Sequence, residues 1–92
     1  MRTRAHIVVN GDAQGVFFRQ ETKSRADDSN VKGWVRNRDD GKVEAVFEGE
    51  EQNVEALIDF STRGPPRATV TNVDVKREAY TGEFKDFTIR NV

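Results

Sequence analysis

The order of hydrophobic periodicities along the chain, β-α-β-β-α-β, predicts an α+β fold of the split βαβ, ferredoxin-like type. Two further observations agree with it. The 92 residues allow a single domain, residues 1–92, with one modest core, and the second helical segment has the amphipathic pattern of a helix packed on a sheet. We therefore expect an antiparallel sheet with both helices on one face and room for a short fifth strand.

The first strand and the first helix are predicted on either side of a glycine-bracketed loop. Residues Ala5 to Asn10 are rich in β-branched side chains and form the strand. The helix runs from Arg19 to about Asp28. It is polar, with a thin buried stripe at i, i+4 and i+8: Phe18, Thr22 and Ala26. Asn30 follows the helix and tolerates the left-handed conformation of a helix end.

A β-hairpin comes next, with strands at Val31 to Arg38 and Lys42 to Gly49. Its three-residue loop, Asp39-Asp40-Gly41, places a glycine where the left-handed conformation is required. Trp34 lies in the first strand of the hairpin, beside Gly33. A large aromatic side chain in such a place is expected to fill the core.

The second helix is predicted at Glu51 to Thr62 and ends at Gly64-Pro65-Pro66. Within it, apolar and small residues recur at i, i+3, i+4 and i+7: Val54, Leu57, Ile58 and Ser61. This spacing lines one face of a helix. We expect that face to pack on the sheet.

Two strands are predicted in the last third of the chain. Ala68 to Lys76 forms the first of them, and the break in strict alternation between Val70 and Val73 predicts a β-bulge. A short final strand is expected at Phe84 to Arg90. Its charges discourage pairing with another chain at a sheet edge, so we expect a monomer: Lys85, Asp86 and Arg90.

The composition excludes several classes of function. Cysteine is absent and there is one histidine, so thiolate catalysis, a disulfide framework and a histidine metal cluster are unavailable. The net charge of −1, from 15 basic and 16 acidic residues, provides no basic field for nucleic acid. The apolar run Ile7 to Val9 is far too short for a signal peptide or a membrane span. We expect a soluble, cytoplasmic protein that binds neither nucleic acid nor membranes.

The loop between Gly11 and Gly15 has the pattern of an anion site. Its glycines allow backbone N–H groups to converge on one point. Arg19 lies where the helix begins, and its planar fork of donors suits phosphate oxygens, as do the unpaired N–H groups of a helix N-terminus. Two glycines and an arginine alone would be weak evidence, because a plain strand-to-helix turn with a surface arginine has the same pattern.

Three stretches of the chain together resemble the acylphosphatase family: Gln14 to Arg19, Gly33 to Asn37, and Asp40 to Glu44. Gly64-Pro65-Pro66 and Phe87-Thr88-Ile89 also match in order. The similarity covers nearly the whole chain, and separated motifs in the right order are much stronger evidence than one motif alone. The resemblance implies the same split βαβ fold.

The resemblance also implies an activity and a site. Acylphosphatases hydrolyse the carboxyl-phosphate bond of acyl phosphates, and phosphate or sulfate is expected to compete with the substrate. The loop and arginine that bind the phosphoryl group in that family correspond here to Gln14, Gly15, Val16, Phe17, Phe18 and Arg19. Asn37 corresponds to the asparagine that positions the attacking water. No metal or other cofactor is expected, because a carboxylate is a good leaving group and phosphoryl transfer then needs mainly positioning and charge stabilisation.

Two residues depart from the family pattern. The family commonly has a basic or neutral residue and a valine where this chain has Asp12 and Ala13. The acidic group would lower phosphate affinity if it faced the site. If it points into solvent the effect is expected to be small, because salt screens exposed charges over about 10 Å.

Three other interpretations stay open at this point. The loop could hold an anion without turnover, as a regulatory binding module, although the presence of both Arg19 and Asn37 disfavours it. A similar loop occurs within large maturation proteins that handle carbamoyl groups and carry zinc-binding cysteines. The absence of cysteine favours a free-standing enzyme. An RNA-recognition module on the same topology would need stacking aromatics, whereas the central strands carry Ile7, Val9, Val43, Ala45 and Phe47.

Overall fold

A computed structural model describes residues 1–91, which form seven elements. In chain order they are β1 (Arg2–Asp12), α1 (Phe18–Asp28), β2 (Lys32–Asn37), β3 (Val43–Glu50), α2 (Glu51–Arg63), β4 (Thr69–Glu78) and β5 (Phe87–Arg90). The predicted order of elements is confirmed. The boundaries differ by a few residues, as is usual at the ends of helices and strands.

The strands form one sheet in the order β4-β1-β3-β2-β5. The four longer strands pair antiparallel with one another, as predicted. β5 instead pairs parallel with β2, so the complete sheet is mixed. Residues 79–86 carry the chain from β4 at one edge to the opposite edge. β5 therefore joins the sheet alongside β2 and in the same direction.

One face of the sheet and the two helices enclose the core. Alternation along β1 leaves Ala5, Ile7 and Val9 fully buried, and Ala45 and Phe47 of β3 lie beside them. Burial of one large aliphatic or aromatic side chain stabilises a fold by roughly 1.5–3 kcal/mol. This face holds the two central strands in a fixed position under the helices.

Both helices bury the predicted stripes. α1 buries Phe18, Thr22 and Ala26, and the Thr22 hydroxyl donates a hydrogen bond to the Phe18 carbonyl at 2.7 Å. The rings of Phe18 and Phe60 lie 5.6 Å apart and join the two helices. Because Phe18 is the first residue of α1, this contact anchors the loop that precedes it. The stripe of α2 is Val54, Leu57, Ile58 and Ser61.

The helices are also short and polar relative to membrane spans. In the described part of the chain, neither α1 nor α2 is long and apolar enough to cross a membrane.

Two predicted left-handed positions are confirmed. Asn30 has a φ of 58°, and the following residue, Val31, donates its N–H to the Ala26 carbonyl at 2.9 Å and closes α1. Gly41 has a φ of 89°, and its N–H donates to the Arg38 carbonyl at 3.2 Å across the hairpin loop. Both turns are therefore compact.

The predicted β-bulge lies in β4 at Thr71. Asn10 pairs with Asn72 while Gly11 pairs with Val70, so that one residue of β4 has no partner in β1. Gly11 has a φ of 119°, and a Cβ there would lie 2.2 Å from the Thr69 carbonyl oxygen. Only glycine permits this close approach of two backbones. The bulge lies in β4 and shifts its register with β1 just before the loop that leads to α1.

The expectation that Trp34 fills the core is wrong. Its neighbours Gly33 and Val35 face the helices and are buried. Alternation therefore places Trp34 on the opposite face of the sheet, away from the helices, which we call the open face. Trp34 is half-buried there. There the Arg90 guanidinium lies 4.6 Å from the centre of its ring, within cation–π range. Arg36 contributes a second contact at 6.0 Å.

A buried carboxylate, Glu48, ties the β4–β5 connection to the open face. It is 1% exposed and accepts hydrogen bonds from the Thr81 N–H and hydroxyl, each at 2.8 Å, and from the Gly82 N–H at 3.1 Å. Arg4 lies 3.2 Å away. Burial alone would raise the pKa of Glu48, but the hydrogen bonds from Thr81, Arg4 and Gly82 outweigh it and lower the pKa.

We expect Glu48→Gln to destabilise the fold by about 3 kcal/mol at pH 7. The wild-type carboxylate has a lowered pKa, so its contribution is fully present above the unfolded value of about 4.3 and is lost as the pH falls through the folded value. The difference in free energy of unfolding between wild type and Glu48→Gln should therefore become smaller as the pH falls. Urea unfolding from about pH 7 to about pH 2 measures it.

The matched control is Glu50→Gln, an exposed carboxylate on the same strand that pairs with the N-terminal amine at 3.3 Å. This substitution should change the free energy of unfolding by less than about 1 kcal/mol. If the difference in free energy of unfolding between wild type and Glu48→Gln is the same at all pH values, the role assigned to the charge of Glu48 is wrong.

Candidate active site

The carboxyl ends of β1 and β2 lie at the same end of the sheet, on either side of β3. Both strands are antiparallel to β3, which lies between them, so they run in the same direction. The register places Val9, Val43 and Asn37 in one row across the three strands. Asn37 ends β2 in this row, and the loop that leaves β1 begins just beyond it. The sheet therefore brings two segments that are distant in sequence to the same place.

A cavity of about 120 Å³ lies between this loop and β2. It is lined by Ala13, Gly15, Phe17, Phe18, Arg19, Gln20 and Asn37. The two residues predicted to be catalytic, Arg19 and Asn37, are therefore together in one cavity. Gly15, Phe17 and Phe18 of the predicted loop also line it, whereas Gln14 and Val16 do not.

Two residues of the loop have left-handed backbone angles of the kind found in anion-binding turns. Gly15 has a φ of 74°, and Phe17 has a φ of 63° and a ψ of 20°. A Cβ on Gly15 would meet nothing within 4 Å, so glycine is favoured here by its backbone angle and not by lack of space. Left-handed residues of this kind turn successive N–H groups toward one point.

The first turn of α1 adds further free donors. Phe17 caps the helix without a side-chain hydrogen bond, and the first intrahelical N–H bond runs from Glu21 to the Phe17 carbonyl at 3.0 Å. The N–H groups of Phe18, Arg19 and Gln20 precede it and have no carbonyl partner within the helix. All three residues line the cavity. This helix end can hold an anion with backbone donors and dipole potential.

Arg19 provides a fixed positive charge at the cavity. Its side chain is half-buried, and among residues 1–91 no carboxylate lies within ion-pair distance of it. Several other arginines are paired with carboxylates: Arg4, Arg25, Arg36, Arg38 and Arg77. The donors of Arg19 are therefore available for an anion in the cavity.

Asn37 places a neutral amide opposite the helix end. It is half-buried and lines the cavity. The nearby hydrogen bonds are made by Gln14, Arg36 and Lys42, and none within residues 1–91 uses the Asn37 side chain. Its oxygen can accept a hydrogen bond from water while its nitrogen donates one.

Gln14 braces the loop against the hairpin. Its Nε2 donates to the carbonyls of Arg38 and Lys42, at 2.8 and 2.9 Å. Both amide hydrogens are thereby used, so this side chain does not offer donors to an anion. Val16 packs against the core. These two residues of the predicted phosphate loop hold its shape, and the neighbouring residues line the cavity.

We expect Gln14→Met to lower kcat for the acyl phosphate hydrolysis that the resemblance implies by about tenfold, and the free energy of unfolding by about 2 kcal/mol. The variant keeps the length of the side chain but loses both bonds to the hairpin, so Asn37 is held less firmly against the loop. The affinity for inorganic phosphate should change less than kcat. Steady-state kinetics, phosphate inhibition and urea unfolding measure the three quantities, with Gln52→Met, on the exposed face of α2, as the control. Equal losses in kcat and phosphate affinity would contradict the bracing role.

Asp40 orders the hairpin turn that follows Asn37. Its carboxylate accepts a hydrogen bond from the Lys42 backbone N–H at 3.1 Å and lies 2.8 Å from Arg38 Nη2. The Lys42 N–H and the charge of Arg38 lower the pKa of Asp40. This side-chain turn keeps the end of β2 in place.

The two arginines that flank the asparagine of β2 are neutralised. Arg36 pairs with Glu44 at 2.7 Å, and Arg38 pairs with Asp40. Burial acts to raise the pKa of Glu44, but hydrogen bonds from His6 and Arg36 outweigh it and lower the pKa. The positive charge at the cavity therefore comes from the arginine of α1 and not from β2.

The two departures from the family pattern differ in position. Asp12 is exposed at the end of β1 and does not line the cavity, so its charge is screened by solvent. Ala13 is fully buried and lines the cavity.

Gln20 also lines the cavity but was not among the predicted site residues. The helix start was its signal, because the first turn of a helix that begins at an anion site lines that site.

Comparison with known proteins agrees with the motifs. The acylphosphatase family model matches residues 5–89. A relative described as an acylphosphatase, from Pelotomaculum thermopropionicum, is 53% identical over 88 residues, which are 96% of each chain. The acylphosphatase structure from Coxiella burnetii has a TM-score of 0.90 and 36% identity, covering 97% of this chain and 93% of that one.

A second solved structure, the acylphosphatase from Bacillus subtilis, has a TM-score of 0.90 and 34% identity, and the match covers 98% of this chain and 99% of that one. The similarity thus extends over the full sheet, both helices and the loop between β1 and α1. On this evidence the chain belongs to the acylphosphatase family.

Proposed function

We propose that this protein hydrolyses acyl phosphates to a carboxylate and phosphate. The observation that carries the proposal is the meeting of Arg19, Asn37 and the uncapped start of α1 around one cavity. The cavity offers a guanidinium and backbone N–H groups for phosphoryl oxygens and a neutral amide for water. The family to which the chain belongs supports the same reaction.

In the proposed mechanism, the loop amides and Arg19 hold the oxygens of the phosphoryl group. They are preorganised where negative charge spreads in the transition state, which is where such donors have their largest effect. The Asn37 amide holds a water molecule in line with the bond to be broken. The water oxygen forms a bond to phosphorus as the bond to the carboxylate oxygen breaks, and that oxygen leaves with the bonding electron pair.

The chemistry asks little else of the protein. A carboxylate leaves readily without protonation, so no general acid is needed at the leaving group. The water loses its proton to phosphate oxygen or to solvent as the product forms. We propose that the reaction is independent of metal ions, with Arg19 and the amides stabilising the charge.

The test is the hydrolysis of benzoyl phosphate by purified protein with EDTA present. We expect turnover that is inhibited by inorganic phosphate or sulfate. Inactivity of the wild type would overturn the proposal, and phosphate binding without hydrolysis would favour a regulatory anion-binding module. Activity that appears only after magnesium is added would contradict the metal-independent mechanism.

A further inference from the structure

Phe17 is unusual among the phenylalanines of this chain. The residue is 73% exposed, whereas Phe18, Phe47, Phe60 and Phe87 are buried in the core. It is also one of the residues that line the cavity. An aromatic ring left in water at the rim of a polar cavity contributes nothing to the core.

The backbone at Phe17 makes the choice of residue more informative. Its φ of 63° is in the left-handed region, which a non-glycine residue adopts at a cost of about 1 kcal/mol or more. Glycine or asparagine would occupy this position with less strain. Folding therefore does not require a phenylalanine here, and the exposed residue is available for a contact outside the chain.

The size of the cavity limits what it can enclose. Its volume of about 120 Å³ is well below the roughly 300 Å³ at which pockets begin to enclose drug-sized ligands. It suits a phosphoryl group and a water molecule. The acyl part of a substrate must then lie outside, against the rim.

The surface next to the cavity is polar where it adjoins Asn37. Beyond Asn37 lies a wider depression of about 500 Å³. Within residues 1–91, the residues that line this depression are all polar or charged: Arg36, Asn37, Arg38, Asp39, Asp40 and Asn91. Its arginines are already paired with carboxylates. Among the residues that line the 120 Å³ cavity itself, Phe17 is the large apolar residue that is exposed, because Phe18 is buried.

We propose that Phe17 is the contact for the acyl group, so that the enzyme prefers acyl phosphates with an aromatic or extended apolar acyl group over those with a small one. This inference rests on the proposed function. An acyl group stacked on the ring would cover apolar surface on both partners. The contact would be equally present in the bound substrate and in the transition state, so it would act mainly on KM.

The experiment compares kcat/KM for benzoyl phosphate and acetyl phosphate in wild type, Phe17→Asn and Phe17→Leu. Asparagine tolerates the left-handed backbone and removes the ring, whereas leucine keeps apolar surface without it. We expect Phe17→Asn to lower kcat/KM for benzoyl phosphate by about tenfold, through KM, and for acetyl phosphate by less than about twofold. Phe17→Leu should fall between wild type and Phe17→Asn.

Two controls separate a contact from a structural effect. The inhibition constant for inorganic phosphate, which occupies only the phosphoryl site, should be unchanged in both variants. Arg38→Gln, on the polar side of the rim, should leave the ratio of the two substrates unchanged. If it alters the ratio while the Phe17 variants do not, the acyl group lies on the polar side and the inference is wrong.

The remaining outcomes are also decisive. Equal losses for both substrates with weaker phosphate binding would mean that Phe17 acts by shaping the loop, and would overturn the inference. An unchanged substrate ratio in active variants would overturn it and leave the proposed function intact. If the wild type hydrolyses neither compound, the proposed function fails and the inference fails with it.

Discussion

Arg19→Lys is expected to lower kcat/KM for benzoyl phosphate by about a hundredfold or more. The guanidinium is the cation at the cavity, and no carboxylate among residues 1–91 pairs with it. Lysine keeps the charge but replaces a planar fork of donors with a single point, so it cannot bind two phosphoryl oxygens in the same geometry. The loss should appear in kcat and in phosphate affinity together.

The fold should tolerate the change, because Arg19 has no ion pair to lose within residues 1–91 and lysine is a good helix former. Urea unfolding of the variant therefore tests whether any loss of activity is specific to the site. The matched control is Arg63→Lys, an exposed arginine in the last turn of α2, which should keep wild-type kinetics. A folded Arg19→Lys protein with near-native turnover would refute the role proposed for the guanidinium.

Asn37→Ala is expected to lower kcat by about a hundredfold with a much smaller change in phosphate affinity. In the proposed mechanism this side chain acts on the attacking water and not on the phosphoryl group. Alanine removes both the acceptor and the donor that orient the water. Steady-state kinetics with benzoyl phosphate and inhibition by inorganic phosphate measure the two quantities separately.

The control for this variant is Asn91→Ala, an exposed asparagine beside the hairpin that lies outside the 120 Å³ cavity. It should leave both quantities unchanged. If Asn37→Ala weakens phosphate binding as much as it lowers kcat, then Asn37 binds the phosphoryl group and the assignment of the water must be revised. The two predictions thus separate the proposed roles of the arginine and the asparagine.

The elements of the fold could be predicted because their signals are local. The stripe at Phe18, Thr22 and Ala26 repeats at the helical period and is buried as predicted. Asn30 and Gly41 occupy left-handed turns because few other residues do so at low cost. In each case the preference is set by neighbours within a few residues.

The errors and omissions arise where distant segments decide the outcome. Trp34 was expected in the core, but the side of the sheet that it occupies depends on which strands pair with β2 and where the helices lie. The buried Glu48 obtains its partners from Thr81 and Gly82, far along the chain. No local pattern signals such contacts, because they form only after the strands have paired.

In the candidate site, too, some features follow from local sequence and others depend on contacts between distant segments. The sequence by itself predicted which residues could bind a phosphoryl group and position the attacking water: a glycine loop, Arg19 at a helix start, and Asn37 in a second motif. Only the tertiary structure decided that they line one cavity, that Gln14 turns to the hairpin, and that Phe17 is exposed at the rim. The physical reason is that residue type sets local conformation and chemistry, whereas side-chain direction and proximity follow from strand register and helix packing across the whole chain.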